Sequence, residues 1–126
     1  MTHRNLWAPW RTQYVAGERE EGCVFCRARD EAADPERLVV AENGTALALL
    51  NRYPYNTGHL MAVPRRHVGG MEDLDPAEVA DLWSLLVEAQ RALKKLYGPA
   101  GFNLGLNLGE AAGAGVAGHL HVHLVP

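Results

Sequence analysis

The sequence lacks any apolar run of the length that a membrane-spanning helix needs, which is about 20 residues. It also lacks an apolar stretch near the N-terminus, so residues 1–7 do not resemble a secretory signal. We therefore expect a cytoplasmic protein that has no membrane partner. Cysteine is scarce, with two in 126 residues, and in the cytoplasm both are expected to be reduced.

Positive charge is not in excess either. Lys and Arg number 12 against 15 Asp and Glu, which gives a net charge of −3. Proteins that hold nucleic acid through a broad surface rely on clustered Lys and Arg, so we expect no nucleic-acid partner. A small phosphorylated ligand needs only a local site. With 48% hydrophobic and 21% charged residues, a chain of this length is expected to form one globular domain.

The closing segment carries three histidines at every second position. They are His119, His121 and His123, and apolar residues stand between and after them. Alternate side chains of an extended chain point to opposite faces, so the pattern predicts a strand with three imidazoles on one face. The Cα atoms of successive histidines would lie roughly 6.6–7 Å apart, close enough for one ring to attack, one to donate a proton and one to orient or bind metal. An expression tag would lack this alternation.

The second candidate site is the pair Cys23 and Cys26. Their two-residue spacing lets both thiolates reach one metal ion. The spacing alone is equally compatible with a redox pair or with two buried cysteines. With no other cysteine in the chain, a tetrahedral zinc site would need two histidines, and the candidates are His59, His67 and one of the three alternating histidines.

The remaining pattern predicts an α+β domain with a mostly antiparallel sheet. Further strands are predicted at residues 37–41, 45–51, 58–63 and 101–107. Asn43-Gly44 suits the positive φ angles of a tight hairpin turn between the first two. The third strand is apolar on both faces, which indicates a central position, and Pro64 ends it.

One long helix is predicted between the third and fourth strands. Asp75 and Glu78 provide a capping-box-like start with Pro76 at the first helical position, and Gly98-Pro99 ends the helix. The apolar stripe that should cover the sheet consists of Val79, Leu82, Trp83, Leu86, Leu93 and Leu96. We assign the basic residues near the helix end no catalytic role, because the helix dipole accounts for them.

Residues 119–125 read H-L-H-V-H-L-V, and this segment resembles the H-x-H-x-H-x-x signature, with apolar x, of the histidine-triad (HIT) nucleotide-binding proteins. Segments 50–61, 64–67, 101–103 and 107–109 also look like family segments. The arm around Trp7 and the Cys23-x-x-Cys26 pair are similar to a bacterial branch related to diadenosine tetraphosphate phosphorylases.

The resemblance implies a single HIT domain over residues 1–126, with an N-terminal arm at 1–22 and a core at 23–126. The expected fold is a five-stranded antiparallel sheet with one long helix and a short N-terminal helix, paired as a homodimer into a ten-stranded sheet. Two departures from the family are visible. Loop 113–118 has no hydroxyl or amide side chain for the leaving group, and the family's C-terminal tail, which would follow Pro126, is expected to be absent.

The activity that the resemblance implies is cleavage of a nucleoside phosphoanhydride or phosphoramidate at the α-phosphorus. His121 would attack and form a nucleotidyl-enzyme, His123 would help protonate the leaving group, and His119 completes the catalytic triad. The expected function is a hydrolase or phosphorylase of dinucleoside polyphosphates such as diadenosine tetraphosphate. The triad does not separate water from phosphate as acceptor. The alternatives are a nucleoside phosphoramidate hydrolase and a nucleotide-binding sensor with negligible turnover.

The resemblance also implies residues for the substrate and the metal. Asn51 matches a ribose-binding position, although a strand-ending turn residue is the alternative, and Asn107 matches a phosphate-contacting asparagine. The backbone of the loop at Gly113, Ala114, Gly115 and Val116 would approach the same phosphates. A structural zinc ion would be held by Cys23, Cys26, His67 and His119. His59 lies near the family site but stays outside the catalytic set, because a buried structural role explains it equally well.

Overall fold

The computed structural model describes residues 22–52, 57–109 and 118–126. Two α-helices lie in this part of the chain, α1 (Val24–Asp30) and α2 (Pro76–Tyr97). Five strands accompany them, β1 (Val39–Glu42), β2 (Ala46–Leu50), β3 (Leu60–Pro64), β4 (Asn103–Gly105) and β5 (Val122–Val125). Short 3₁₀ turns occupy Pro35–Arg37 and Met71–Asp73.

The strands form one antiparallel sheet in the order β1-β2-β3-β5-β4. Every residue of β3 is buried, which confirms the prediction of a central strand. The predicted five-stranded antiparallel sheet with one long and one short helix is therefore confirmed. Of the predicted arm, residues 1–22, only Gly22 is described, and the single-domain organisation stays a prediction.

Both faces of the central strands are covered. Ala46 and Ala48 of β2 pack with Leu82 and Leu85 of α2 in one core cluster. The alternate residues of β2 and β3 pack with α1 in a second cluster made of Phe25, Ala28, Leu47, Leu49, Met61 and Val63. Successive side chains of these buried strands thus enter two cores on opposite faces of the sheet, and α1 covers the face opposite α2. None of the helices in the described ranges combines the length and apolar character required to cross a membrane.

β1 and β2 form the predicted antiparallel hairpin, but the turn between them differs from the predicted one. Neither Asn43 nor Gly44 has a positive φ angle. Instead, the backbone N–H of Asn43 donates to the carbonyl of Ala46 at 2.9 Å, and the backbone N–H of Ala46 donates to Asn43 Oδ1 at 3.0 Å. The Asp81 carboxylate of α2 accepts from the Thr45 N–H at 3.1 Å and from its hydroxyl at 2.7 Å. The side chains of Asn43 and Asp81 therefore determine the turn. The predicted hairpin is confirmed, whereas the predicted positive φ angles were wrong.

The start and end of α2 follow the prediction. Asp75 and Glu78 form a complete capping box with Pro76 at the helix start, and Gly98 ends the helix with a left-handed φ of 56°. The predicted apolar stripe is only partly correct. Leu82, Leu86 and Leu93 are buried, together with Leu85, which the stripe omitted. Three members of the predicted stripe are exposed, Val79 by 51%, Trp83 by 64% and Leu96 by 72%.

The histidine strand is shorter than predicted. Ladder pairing with β3 begins at Val122, opposite Ala62, so His119 and His121 precede the strand. The intervening Leu120 donates its N–H to the carbonyl of Val68 at 2.6 Å, in the chain that follows β3. Of the three histidines, only His123 belongs to the ladder.

Candidate active site and metal centre

The three alternating histidines lie on the α1 side of the sheet, as the alternation predicted. Phe25 of α1 contacts the rings of His119 and His121, with centroid distances of 5.5 and 4.8 Å. The ring of His123 lies 5.1 Å from that of His121. Leu124 belongs to the core on the α2 side. The structure therefore brings two of the imidazoles side by side at one site and directs the third toward the cysteines.

His121 is held in a defined tautomer. Its Nδ1 lies 2.9 Å from the backbone carbonyl oxygen of His119, and the residue is 5% exposed. Because a carbonyl can only accept, Nδ1 must carry the proton and donate it. When the ring is neutral, its lone pair is therefore on Nε2, the atom that a nucleophilic imidazole uses.

His123 is paired with His59, which immediately precedes β3. The Nδ1 of His123 lies 2.9 Å from Nε2 of His59, so one ring donates and the other accepts. His59 is 1% exposed, and the Asn51 side-chain nitrogen lies 3.5 Å from the same Nε2. The sequence prediction left His59 out of the site. The useful signal was its spacing: His59 stands two residues before Met61, so the two side chains share one face, and Met61 pairs with His123.

The four predicted metal ligands converge. One ligand atom from each of Cys23, Cys26, His67 and His119 lies within 4.8 Å of the others. Nδ1 of His119 is 3.3 Å from the Cys23 sulfur, 3.5 Å from the Cys26 sulfur and 3.2 Å from Nδ1 of His67. Zinc bonds of about 2.3 Å to sulfur and 2.0–2.1 Å to nitrogen place tetrahedral ligand atoms roughly 3.3–3.8 Å apart, close to the three distances from His119.

The protonation of His119 suits a metal ligand. Its Nε2 lies 2.7 Å from the carbonyl oxygen of Pro64, so Nε2 carries the proton and Nδ1 faces the cluster with a lone pair. Burial lowers the pKa of His119 to about 4, which keeps the ring neutral. Burial raises the pKa of the Cys26 thiol, and its hydrogen bond to Cys23 raises it further. Both cysteines are free thiols. With both nitrogens of His119 engaged, its predicted catalytic role stays untested.

Two of the other predicted substrate residues, Asn51 and Asn107, belong to the described part of the chain. Asn51 is 8% exposed at the end of β2, beside the His59–His123 pair, and its N–H donates to the carbonyl of His59 at 2.9 Å. Asn107 is exposed and follows β4 by two residues, after the strand where Gly105 pairs with His123. Four predicted phosphate-contacting positions lie outside the described residues: Gly113, Ala114, Gly115 and Val116.

A cleft beside the histidines was not predicted. Its apolar wall comes from α1, β2 and β3, and its rim carries charged side chains. The lining residues are Val24, Phe25, Ala28, Leu38, Leu49, Leu50, Met61, Glu36, Arg37 and Arg52. Leu38 stands in the left-handed region with φ 64°, uncommon for a residue that is not glycine. Because its walls come from segments far apart in sequence, local pattern alone could not reveal the cleft.

Comparisons with known proteins agree with this geometry. A family model described as the HIT domain matches residues 33–126. AP-4-A phosphorylase of Mycobacterium tuberculosis is 44% identical over 131 residues, covering 98% of this chain and 67% of the relative. Asymmetrical bis(5'-nucleosyl)-tetraphosphatase of Schizosaccharomyces pombe is 34% identical over 79 residues, covering 63% of this chain and 43% of the relative.

A solved structure shares the fold. The Zn-bound histidine triad family protein of Mycobacterium smegmatis is 28% identical, with a TM-score of 0.72 over 84% of this chain and 75% of that one. Together with the family match over residues 33–126, this confirms the resemblance seen in the histidine signature. The chain therefore belongs to the HIT domain family.

Proposed function

We propose that this protein is an enzyme that cleaves dinucleoside polyphosphates, such as diadenosine tetraphosphate, through a nucleotidyl intermediate on His121. The observation that carries the proposal is the 2.9 Å hydrogen bond from His121 Nδ1 to the carbonyl of His119, which places the lone pair on Nε2. Two relatives carry names for this class of substrate, AP-4-A phosphorylase and bis(5'-nucleosyl)-tetraphosphatase.

In the proposed reaction, Nε2 of His121 attacks the α-phosphorus. A P–N bond forms as the P–O bond to the leaving nucleotide breaks. His123 lies next to His121 and is held by His59 at 2.9 Å, so it is placed to give a proton to the leaving oxygen. Water or inorganic phosphate then attacks the phosphorus and gives its proton to His123, the P–N bond breaks, and His121 returns to its neutral form.

The cleft beside His121 is the proposed nucleoside site. The cleft is shallow, with a volume of about 40 Å³, so the base is proposed to lie against its apolar wall, which Phe25 joins to the His121 ring. The Asn51 side-chain nitrogen lies 3.5 Å from Nε2 of His59, and we assign this amide to the ribose hydroxyls. We assign the phosphate contacts to Asn107 and to the backbone of residues 113–116.

We propose that Cys23, Cys26, His67 and His119 hold a structural zinc ion. The donor set and spacing fit zinc, and four protein ligands leave no open position for a reacting group. The test is metal analysis of protein purified under reducing conditions without added zinc, beside a Cys23→Ser variant. Absence of metal from the wild type, with unchanged stability and activity in the variant, would contradict this assignment.

We also propose a homodimer that joins two sheets through β4. This strand is at the sheet edge and all its residues are exposed. It lies beside an apolar groove whose lining includes three exposed side chains of α2 and β4, Val79, Trp83 and Leu104. Trp83→Glu is expected to give a monomer in sedimentation velocity. Leu96→Glu, at an exposed α2 position outside the groove, is the matched control and should leave the dimer intact.

Product chromatography tests the reaction. Purified protein is incubated with diadenosine tetraphosphate, with and without inorganic phosphate, beside His121→Ala. ADP plus ATP formed only with phosphate establishes a phosphorylase, the outcome that the 44% identical relative favours. AMP plus ATP formed without phosphate establishes a hydrolase. No cleavage by the wild type contradicts the proposal and leaves a phosphoramidate substrate or a binding role. A cytoplasmic location stays a prediction.

A further inference from the structure

We propose that the metal-binding cluster positions His121 for attack, so that metal occupancy controls formation of the nucleotidyl-enzyme. This inference rests on the proposed function and gives the four cluster ligands a role beyond stabilising the fold. Two separate links join the cluster to the nucleophile, one through the backbone of His119 and one through the ring of Phe25.

The first link is the carbonyl of His119. The His119 ring is completely buried, with Nε2 donating to Pro64 at 2.7 Å and Nδ1 directed at the cluster. The backbone carbonyl of this same residue accepts the Nδ1 proton of His121 at 2.9 Å. A fixed His119 ring therefore holds the His119 carbonyl oxygen in place. This oxygen accepts from Nδ1 of His121 and so leaves the lone pair on Nε2.

The second link is Phe25, which stands between the two cysteines. Cys23 is the N-cap of α1, and its sulfur accepts from the Cys26 N–H at 3.5 Å. The first turn of the helix therefore carries two of the four cluster ligands. The Phe25 ring is buried and lies 4.8 Å from the His121 ring. Both the hydrogen-bond acceptor and the packing surface of His121 are thus attached to cluster ligands.

His121 depends on these links more than His123 does. The β5 ladder begins at Val122 and includes His123, which pairs with Met61 of β3 and with Gly105 of β4. His121 lies one residue before the ladder. Loss of the cluster should therefore displace the nucleophile while the strand that carries the proton donor stays in place.

The experiment compares zinc-loaded wild type, the same protein after chelation, and Cys26→Ser. The readouts are metal content, AMP affinity by calorimetry, nucleotidyl-enzyme formation by rapid quench, and the ¹⁵N signals of the His121 ring. We expect the metal-free forms to form the intermediate about 10- to 100-fold more slowly. They should also bind AMP more weakly, because Phe25 lines the proposed nucleoside site. The ¹⁵N signature of a protonated Nδ1 should disappear and should return when zinc is restored to the chelated wild type.

Two further variants separate positioning from stability. Leu82→Ala removes a core side chain on the opposite face, so it should lower Tm without changing the His121 signals or the metal content. Phe25→Leu should keep the metal, shift the His121 signals and slow the intermediate, and it tests the second link even if metal-free protein unfolds.

Unchanged His121 signals and an unchanged rate in folded, metal-free protein would overturn the inference. So would Phe25→Leu with wild-type signals and rate, if metal-free protein unfolds. If zinc-loaded wild type turns over no dinucleotide, the proposed function fails, whereas the ¹⁵N comparison still decides whether the cluster orients His121.

Discussion

Substitution of Gly58 by alanine is expected to lower the free energy of unfolding by about 2–4 kcal/mol. Gly58 has a φ of +86°, and a left-handed backbone costs a residue with a Cβ roughly 1–2 kcal/mol. The added Cβ would lie 3.0 Å from Leu93 Cδ2, 3.1 Å from Tyr97 Cε2 and 3.3 Å from Pro126 Cγ. Crowding of this kind costs about 1–3 kcal/mol, and contacts at these distances require the neighbours to move by only a few tenths of an ångström, which favours the lower half of that range.

Urea and thermal denaturation measure this effect, with Gly101→Ala as the matched control. A Cβ added at Gly101 would meet no atom of the described residues within 4 Å, and the φ of Gly101 is not positive. Alanine there should therefore be neutral or stabilise by up to about 1 kcal/mol. For a chain of 126 residues, the Gly58→Ala loss corresponds to a fall in Tm of roughly 8–15 °C. A Gly58→Ala protein within about 0.5 kcal/mol of the Gly101→Ala protein would refute the steric argument.

Three further predictions concern the site and the pH response. His121→Ala should reduce turnover by at least about 10³-fold in steady-state assays with dinucleotide, because it removes the proposed nucleophile, and residual turnover near wild type would exclude the role. His59→Phe should lower kcat about 10- to 100-fold with little change in KM, because it removes the hydrogen bond to His123. A rise in KM as large as the expected fall in kcat would instead indicate a binding role. The hydrogen bonds of Glu78 with the Arg66 side chain and the Asp75 backbone lower the pKa of Glu78 below its ordinary value. This carboxylate therefore stabilises the fold at neutral pH and loses that contribution as the pH falls through its folded-state pKa. In urea denaturation, the difference in free energy of unfolding between wild type and Glu78→Gln should therefore become smaller in acid.

Signals that act within a few residues predicted structure well. Asp75, Pro76 and Glu78 fixed the start of α2, because a capping box is satisfied by atoms three residues apart. The alternation of His119 to His123 predicted a shared face, because side-chain direction in an extended chain depends only on the backbone. These features needed no knowledge of the rest of the fold.

Predictions that depended on distant contacts were weaker. Asn43-Gly44 carried a strong local signal for positive φ, but Asp81 of α2 binds Thr45 and selects another turn. Trp83 fitted the helical period but lies about 100° around the helix from Leu82, toward β4, where the sheet does not cover it. Tertiary packing decided both outcomes.

The candidate site was predicted in part for the same reason. The metal ligands come from three segments that no local pattern connects, and their joint prediction came from the family resemblance. His59 was left out of the catalytic set because a buried structural role explained it equally well, and only the folded structure shows its Nε2 at 2.9 Å from Nδ1 of His123. The cleft lined by α1, β2 and β3 required the packing of all three elements.

The most direct test of the proposed mechanism is a rapid-quench experiment with diadenosine tetraphosphate, in which intact-mass and peptide analysis look for adenylylated protein. We expect an adduct on His121 that forms before products accumulate, decays when acceptor is present, and is absent from His121→Ala. Product formation without any adduct at times shorter than one turnover, or an adduct on another residue, would contradict the proposed role of His121.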